Sequence, residues 1–311
     1  MKATALVCAA LLLLAVPETA CAQIFVTNEA NHTIGEYNLD GSTVNASLIT
    51  GVFAPYSIVV SGTYIFVASG GVGSSSIGEY TTSGGTLNAS LITSGLSQVD
   101  GIAVSGSNIF VTNYGNNTIG EYNLDGSTVN ASLVTGLAGP YGLAVSGANI
   151  FVVNNANGTI GEYTTTGGTV NASLITGLSN PKGIAVSGPN IFVTNNLADT
   201  IGEYTTTGGT VNAALFSDPN GPVGIAVFGS NIFVANQNHS NNGSIGEYTT
   251  LGGTVNATLV APASGLDNPY AIAVIPEPST YALLGLYSGA LFFFALCHRN
   301  SARARIDAGN I

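Results

Sequence analysis

Tryptophan is absent from this 311-residue chain, methionine occurs once, cysteine three times and basic residues only five times. Cys8 and Cys21 lie in the N-terminal apolar stretch and Cys297 near the other end, so no cysteine falls between Gln23 and Ile275. That long interval therefore holds no disulfide, no thiolate metal site and no cysteine nucleophile. It also holds thirteen acids against a single base, Lys182, a formal charge of −12 with neutral histidines. Nucleic-acid binding rests on Lys and Arg neutralising phosphates, and such a domain repels them. Charged residues are only 7% of the chain, yet regularly placed apolar runs argue against disorder.

Those runs form a repeat. Pro140 to Thr176 reads PYGLAVSGANIFVVNNANGTIGEYTTTGGTVNASLIT. It contains four short segments rich in Val, Ile, Phe and Tyr, separated by Gly, Asn, Ser and Thr, the pattern of strands joined by tight turns. The IFV run begins at Ile24, Ile65, Ile109, Ile150, Ile191 and Ile232, in steps of 41, 44, 41, 41 and 41 residues. This matches the ~40–45-residue period of a β-propeller blade. IGEY recurs from Ile34, Ile77, Ile119, Ile160, Ile201 and Ile245, and the NAS run is marked by Asn45, Asn88, Asn130, Asn171, Asn212 and Asn256. The fourth run, of GIAV type, centres on Ile58, Ile102, Leu143, Ile184, Ile225 and Ile272; the last has no IFV after it, and the first IFV has no GIAV before it. The spacing predicts an all-β, six-bladed propeller of four-stranded antiparallel blades, closed when Tyr270–Ile275 joins the first three strands. Closure removes the open sheet edges of a linear array.

The order P-x-GIAVSG, IFVTN, NNTIGEY resembles the NHL-type six-bladed propeller from Ile24 to Ile275. The resemblance makes GIAV the innermost strand, so the strands are named a (GIAV), b (IFV), c (IGEY) and d (NAS). Spacing from a to b and from c to d is constant, whereas the b–c and d–a connections vary, with insertions at 70–76 and 237–244. All the variation falls on one face, where functional loops are expected.

The residue between Pro and GIAV differs from blade to blade: Tyr56, Asp100, Tyr141, Lys182, Val223 and Tyr270. It stands at the mouth of the central channel. Tyr56, Asp100, Tyr141, Lys182 and Tyr270 are the candidate ligand-binding residues there, suited to a small polar ring that stacks on Tyr and hydrogen-bonds to Asp100 and Lys182. The IGEY glutamates (Glu36, Glu79, Glu121, Glu162, Glu203, Glu247) recur identically in all six blades and read as structural, through hydrogen bonds to a neighbouring turn. Asn28, Asn113, Asn154, Asn195 and Asn236 could supply oxygen ligands beside Asp100, but their recurrence points to turn chemistry. No second unique carboxylate joins Asp100 at a strand a entry, so no catalytic residue, metal site or cofactor is expected. A cluster of carboxylates at the mouth would favour an enzyme, and aromatic planes alone would favour sugar binding. The NLDGST turns at Asn38 and Asn123 read as hairpins, and the recurrent N-x-S/T tripeptides as a product of the repeat.

Outside the repeat, Lys2, the apolar run 3–16 and Ala20-Cys21-Ala22 form a secretory signal over residues 1–22. Residues 23–275 are the propeller, and 276–311 a tail. There Pro276-Glu277-Pro278 precedes an uncharged apolar run at 281–297, then Arg299, Arg303 and Arg305. This resembles the PEP-CTERM sorting signal of Gram-negative bacteria, which implies an exosortase-type peptidase as partner and a transmembrane helix over 281–297 with a cytoplasmic basic end. Read together, these features predict an exported protein, held in the inner membrane before cleavage and then delivered to the cell surface or extracellular matrix. There it is expected to be a non-enzymatic scaffold or adhesion module. The alternatives are a carbohydrate-binding propeller, with extracellular polysaccharide as partner, and a metal-dependent lactonase-like hydrolase.

Overall fold

The structure is a computed structural model that describes residues 22–71, 73–237 and 243–275. The expected signal peptide, PEP motif and 281–297 helix lie outside these residues. The expectation of a transmembrane helix finds no counterpart among the described residues, where no helix is long and apolar enough to cross a membrane. Helical structure there consists of two three-residue turns, Asn155–Asn157 and Pro262–Ser264.

Residues Ala22–Ile275 form one compact unit of six four-stranded sheets, each ordered a-b-c-d. In the first blade strand a is Pro269–Ile275, strand b Gln23–Asn28, strand c Thr33–Asn38 and strand d Thr43–Thr50. Strands a and b pair antiparallel from Gln23↔Ile275 to Asn28↔Pro269, so the two ends of the described unit share one sheet. The other strands a are Pro55–Ser61, Val99–Ser105, Pro140–Ser146, Pro181–Ser187 and Pro222–Phe228. Each contacts the next around the axis, and Pro269–Ile275 contacts the first and last of these, which closes the ring.

Alternation along strand b explains the packing. Successive side chains point to opposite faces, so Phe25 faces the gap to the second blade while Ile24 and Val26 face the gap to the sixth. The same division recurs in every blade, giving six apolar clusters, one per gap. Phe25, Phe66, Phe110, Phe151, Phe192 and Phe233 are all nearly sealed from solvent. Each tyrosine of IGEY packs into the gap opposite to its blade's phenylalanine; Tyr122 donates from its hydroxyl to the carbonyl of Gly95 at 3.0 Å. Strand d, by contrast, is largely exposed: in Thr169–Ile175 the first five residues face solvent, Leu174 is half-buried and Ile175 alone is buried.

At the axis the strands a approach closely. A Cβ on Gly183 would stand 2.3 Å from the carbonyl oxygen of Val223 in the next blade, and one on Gly101 would stand 2.5 Å from that of Tyr141. The hydroxyl of Thr112 fixes the same joint by accepting from the Gly101 N–H at 2.7 Å and donating to the Tyr141 carbonyl. The carbonyl of a mouth residue is thereby clamped against the preceding blade.

Two outcomes check this account. Deleting residues 270–275 from the intact chain exposes both apolar faces of the first blade. It should lower stability by at least the ~2–5 kcal/mol of a large core truncation, with thermal unfolding as the measure. An unchanged midpoint would reject closure by strand a. Gly183→Ala should cost about 1–3 kcal/mol through overpacking at the axis, seen as a lower urea midpoint with an unchanged slope.

Candidate active site at the channel mouth

Each strand a is entered through a residue with positive φ: Ala54 (46°), Gln98 (47°), Gly139 (60°), Asn180 (50°), Gly221 (66°) and Asn268 (52°). The left-handed kink turns the chain from the rim into the axis and presents the residue two positions on at the mouth. Gly and Asn tolerate this conformation, whereas Gln98 and Ala54 adopt it against a steric cost of ~1–2 kcal/mol. Around the ring the mouth residues run Tyr270, Tyr56, Asp100, Tyr141, Lys182, Val223.

The structure brings four of the five expected residues into one cavity. Tyr56, Asp100, Tyr141 and Tyr270 line a space of about 220 Å³, together with Gly70, Gly71, Gln98, Val99 and Tyr114. Tyr270 reaches across the mouth, and its hydroxyl donates to Asp100 Oδ1 at 3.2 Å. Its ring packs edge-on against Tyr56, with centroids 5.1 Å apart, and Tyr141 packs edge-on against Tyr114 at 5.6 Å. Lys182 does not line the cavity; its Nζ stands over the Tyr141 ring, 5.8 Å from the centroid. Val223 is buried.

Burial pushes the Asp100 carboxyl up to about 7, although the Tyr270 hydrogen bond and then the charge of Lys182 pull it down. The Tyr270 phenol is raised well above its ordinary value, by burial first and then by Asp100. Tyr141 is raised by burial and by Asp100, and Tyr56 by burial, Glu29 and Asp100. Lys182 is lowered by burial, with Asp100 opposing. The mouth thus holds one carboxyl that gains and loses its proton near neutrality, surrounded by phenols that remain protonated. This is the condition in which a carboxyl serves as general acid and general base in turn.

The recurrent polar residues are occupied elsewhere. Asn149, Asn190 and Asn231 donate to Glu162, Glu203 and Glu247 at 2.7–2.8 Å, and Asn108 donates to Glu121, the structural use expected of the IGEY glutamates. Asn28, Asn113, Asn154 and Asn195 accept backbone N–H groups of the d–a connections at 3.0–3.3 Å. A divalent metal does not fit. Among the described residues no three His, Cys, Asp or Glu side chains converge, and Asp100 is the one carboxylate lining the cavity.

Gln98, Val99, Tyr114 and the Gly70–Gly71 backbone were not among the expected residues. Their signal was departure from the repeat. Val99 replaces the proline that stands at the other five entries, and Gly70–Gly71 open an inserted b–c connection. Gln98 needs Gly115 beneath it, because a Cβ there would lie 2.9 Å from Gln98 Oε1.

No family model and no curated protein matches this chain. Solved structures do share its fold. The nidogen/laminin complex matches at 15% identity over 81% of this chain and 98% of that chain, with a TM-score of 0.63. A candidate 6-phosphogluconolactonase from Bacteroides uniformis matches at 14% over 82% and 100%, with a TM-score of 0.62. Virginiamycin B lyase from Staphylococcus aureus matches at 20% over 82% and 80%, with a TM-score of 0.53. These identities establish a shared fold. The expectation of a non-enzymatic scaffold or adhesion module is corrected to this extent: structures that share the fold include lyases and a lactonase candidate as well as the nidogen/laminin complex, so the propeller architecture is no mark of a non-enzymatic role. That expectation took one carboxylate at the mouth to be too few for chemistry, and it overlooked how far burial shifts that carboxyl.

Asp100 carries a stability consequence. Its pKa lies at about 7 in the folded chain against an ordinary 3.8. Its contribution is therefore fully present below the lower value and is lost as pH rises through the higher one. Asp100→Asn removes this dependence, so thermal melts should show the variant gaining on the parent between pH 4 and pH 8. A constant difference across that range would mean that Asp100 is not shifted.

Proposed function

We propose that this protein is a hydrolase that opens small cyclic esters at the channel mouth by general acid–base catalysis. The observation that carries the reading is the one carboxyl in the cavity lining, half-buried, raised to about 7 and held by a phenol in a small ring-lined space. Asp100 Oδ1 accepts from Tyr270, which orients the carboxylate and leaves Oδ2 for a water molecule. Oδ2 removes a proton as the water oxygen attacks the acyl carbon. The tetrahedral intermediate then collapses, the ring C–O bond breaks, and the departing alkoxide recovers the proton from Asp100. Lactone and water become a hydroxy acid, with the proton balance closed on one residue. The Tyr141 and Tyr56 phenols, protonated throughout, are placed to donate to the developing oxyanion.

A second reading has its own support, the four tyrosine rings around the cavity. They suit a pyranose bound without reaction, with extracellular polysaccharide as its source. For the rest of the chain, the NHL-type order of the repeat and the terminal Pro276-Glu277-Pro278 with Arg299, Arg303 and Arg305 support export and sorting. In this proposal an exosortase-type peptidase recognises the tail and the propeller acts at the cell surface or beyond.

Turnover of γ- and δ-lactones, followed by acid release in a pH-stat, separates the two readings. The rate should rise with pH through about 7 as Asp100 ionises. Asp100→Asn should lower it by ~10²–10⁴. Tyr270→Phe removes a donor that lowers the Asp100 pKa, so the midpoint should move to higher pH. Sugar binding without turnover of any lactone would replace the enzymatic reading with the second.

A further inference from the structure

The surroundings of the cavity restrict what enters it. Its volume of about 220 Å³ is below the ~300–1,000 Å³ of sites that enclose drug-sized ligands, so it holds one ring and little more. A larger substrate must extend over the rim. Tyr114, which lines the cavity, is 39% exposed, and Phe53, whose backbone adjoins the lining, is 60% exposed. Both are tied to the cavity wall. The Phe53 carbonyl accepts from the Gly70 N–H at 3.0 Å, and the Tyr114 N–H donates to the Gln98 carbonyl at 3.0 Å. Each ring also has a built support. Phe53 packs on His32, with centroids 5.1 Å apart, and Tyr114 lies over Gly139, where a Cβ would come within 3.2 Å of the ring. Both exposed rings are thus held by packing.

Charge sets the second restriction. Phosphate recognition uses Arg or Lys forks or a glycine-rich nest at a helix N-terminus. The cavity lining contains no basic side chain; Lys182 lies outside it, with its Nζ over the Tyr141 ring. The carboxylates of Asp100 and Glu29 both raise Tyr56, and the charge of Lys182, which reaches Asp100, is countered there by that carboxylate.

We propose that the substrate is an unphosphorylated, amphipathic ring ester, whose ring enters the cavity while an apolar substituent lies across Phe53 and Tyr114. The inference rests on the hydrolase reading for the position of the reacting ring and goes beyond it in naming what flanks that ring. It assigns Phe53 and Tyr114 as specificity-determining residues outside the reacting centre.

Lactams keep the ring and cannot be opened by this reaction under mild conditions, so they report binding apart from turnover. Calorimetry on the full-length protein would compare a hexyl-substituted δ-lactam, the unsubstituted δ-lactam, a hydroxymethyl δ-lactam and its phosphate ester. The hexyl compound should bind about ten-fold tighter than the unsubstituted one, and the phosphate ester at least about ten-fold more weakly than its hydroxymethyl parent. Phe53→Ala and Tyr114→Ala should each remove about three-fold of the hexyl preference, and Phe53→Ala should leave affinity for the unsubstituted ring unchanged. Equal or tighter binding of the phosphate ester, a hexyl preference that survives both substitutions, or no binding at all would overturn the inference. Binding in the expected order without turnover of the matching lactones would uphold the ligand class and defeat the hydrolase reading instead.

Discussion

Both faces of every blade are apolar, and this constraint governs the molecule. A sheet whose strand b buries Phe on one side and Ile and Val on the other cannot end at a solvent face. Each blade needs two neighbours, so the stable arrangement is a ring. The ring in turn forces the strands a together at the axis until Gly183 and Gly101 meet the next blade's carbonyl. The polar rim follows from the same constraint. Strands d lie furthest out, face water, and carry the Thr, Asn and Ser of the NAS run.

Repetition made the fold legible. Six copies at nearly constant spacing gave strand order, blade count and closure, because each feature appears several times and chance agreement fails. Tyr56, Asp100, Tyr141 and Tyr270 were legible for the opposite reason, as the variable residue in an invariant frame. Lys182 was placed with them, but its side chain lies outside the cavity lining, over the Tyr141 ring, and side-chain direction is not encoded in the spacing of the copies. Tyr114 and the backbone of Gly70 and Gly71 belong to b–c connections, whose path over the mouth depends on packing rather than on strand periodicity. The 281–297 run lies outside the described residues; that reading rests on its hydropathy, the preceding Pro276-Glu277-Pro278 and the trailing Arg299, Arg303 and Arg305.

The mouth is asymmetric through small departures from a uniform scaffold. Val99 stands where the other five entries carry proline, Asp100 follows it, and Gln98 takes a backbone conformation that Gly or Asn holds more easily. Burial then does what a second carboxylate does elsewhere: it lifts one carboxyl to neutrality. Counting charged residues at the mouth missed this, because the environment of a single group was what mattered.

The pairing of Gln23 with Ile275 also orders events in time. These residues sit at opposite ends of the described unit, and strand contacts between distant residues form slowly because a long loop must close first. The first blade lacks its inner strand until the final segment has been synthesised, and that segment carries Tyr270. The phenol that holds Asp100 is therefore the last part of the mouth to arrive. A chain still emerging, or one that has lost its closing strand, has the carboxyl but not the partner that orients it. Assembly of the site thus reports completion of the ring.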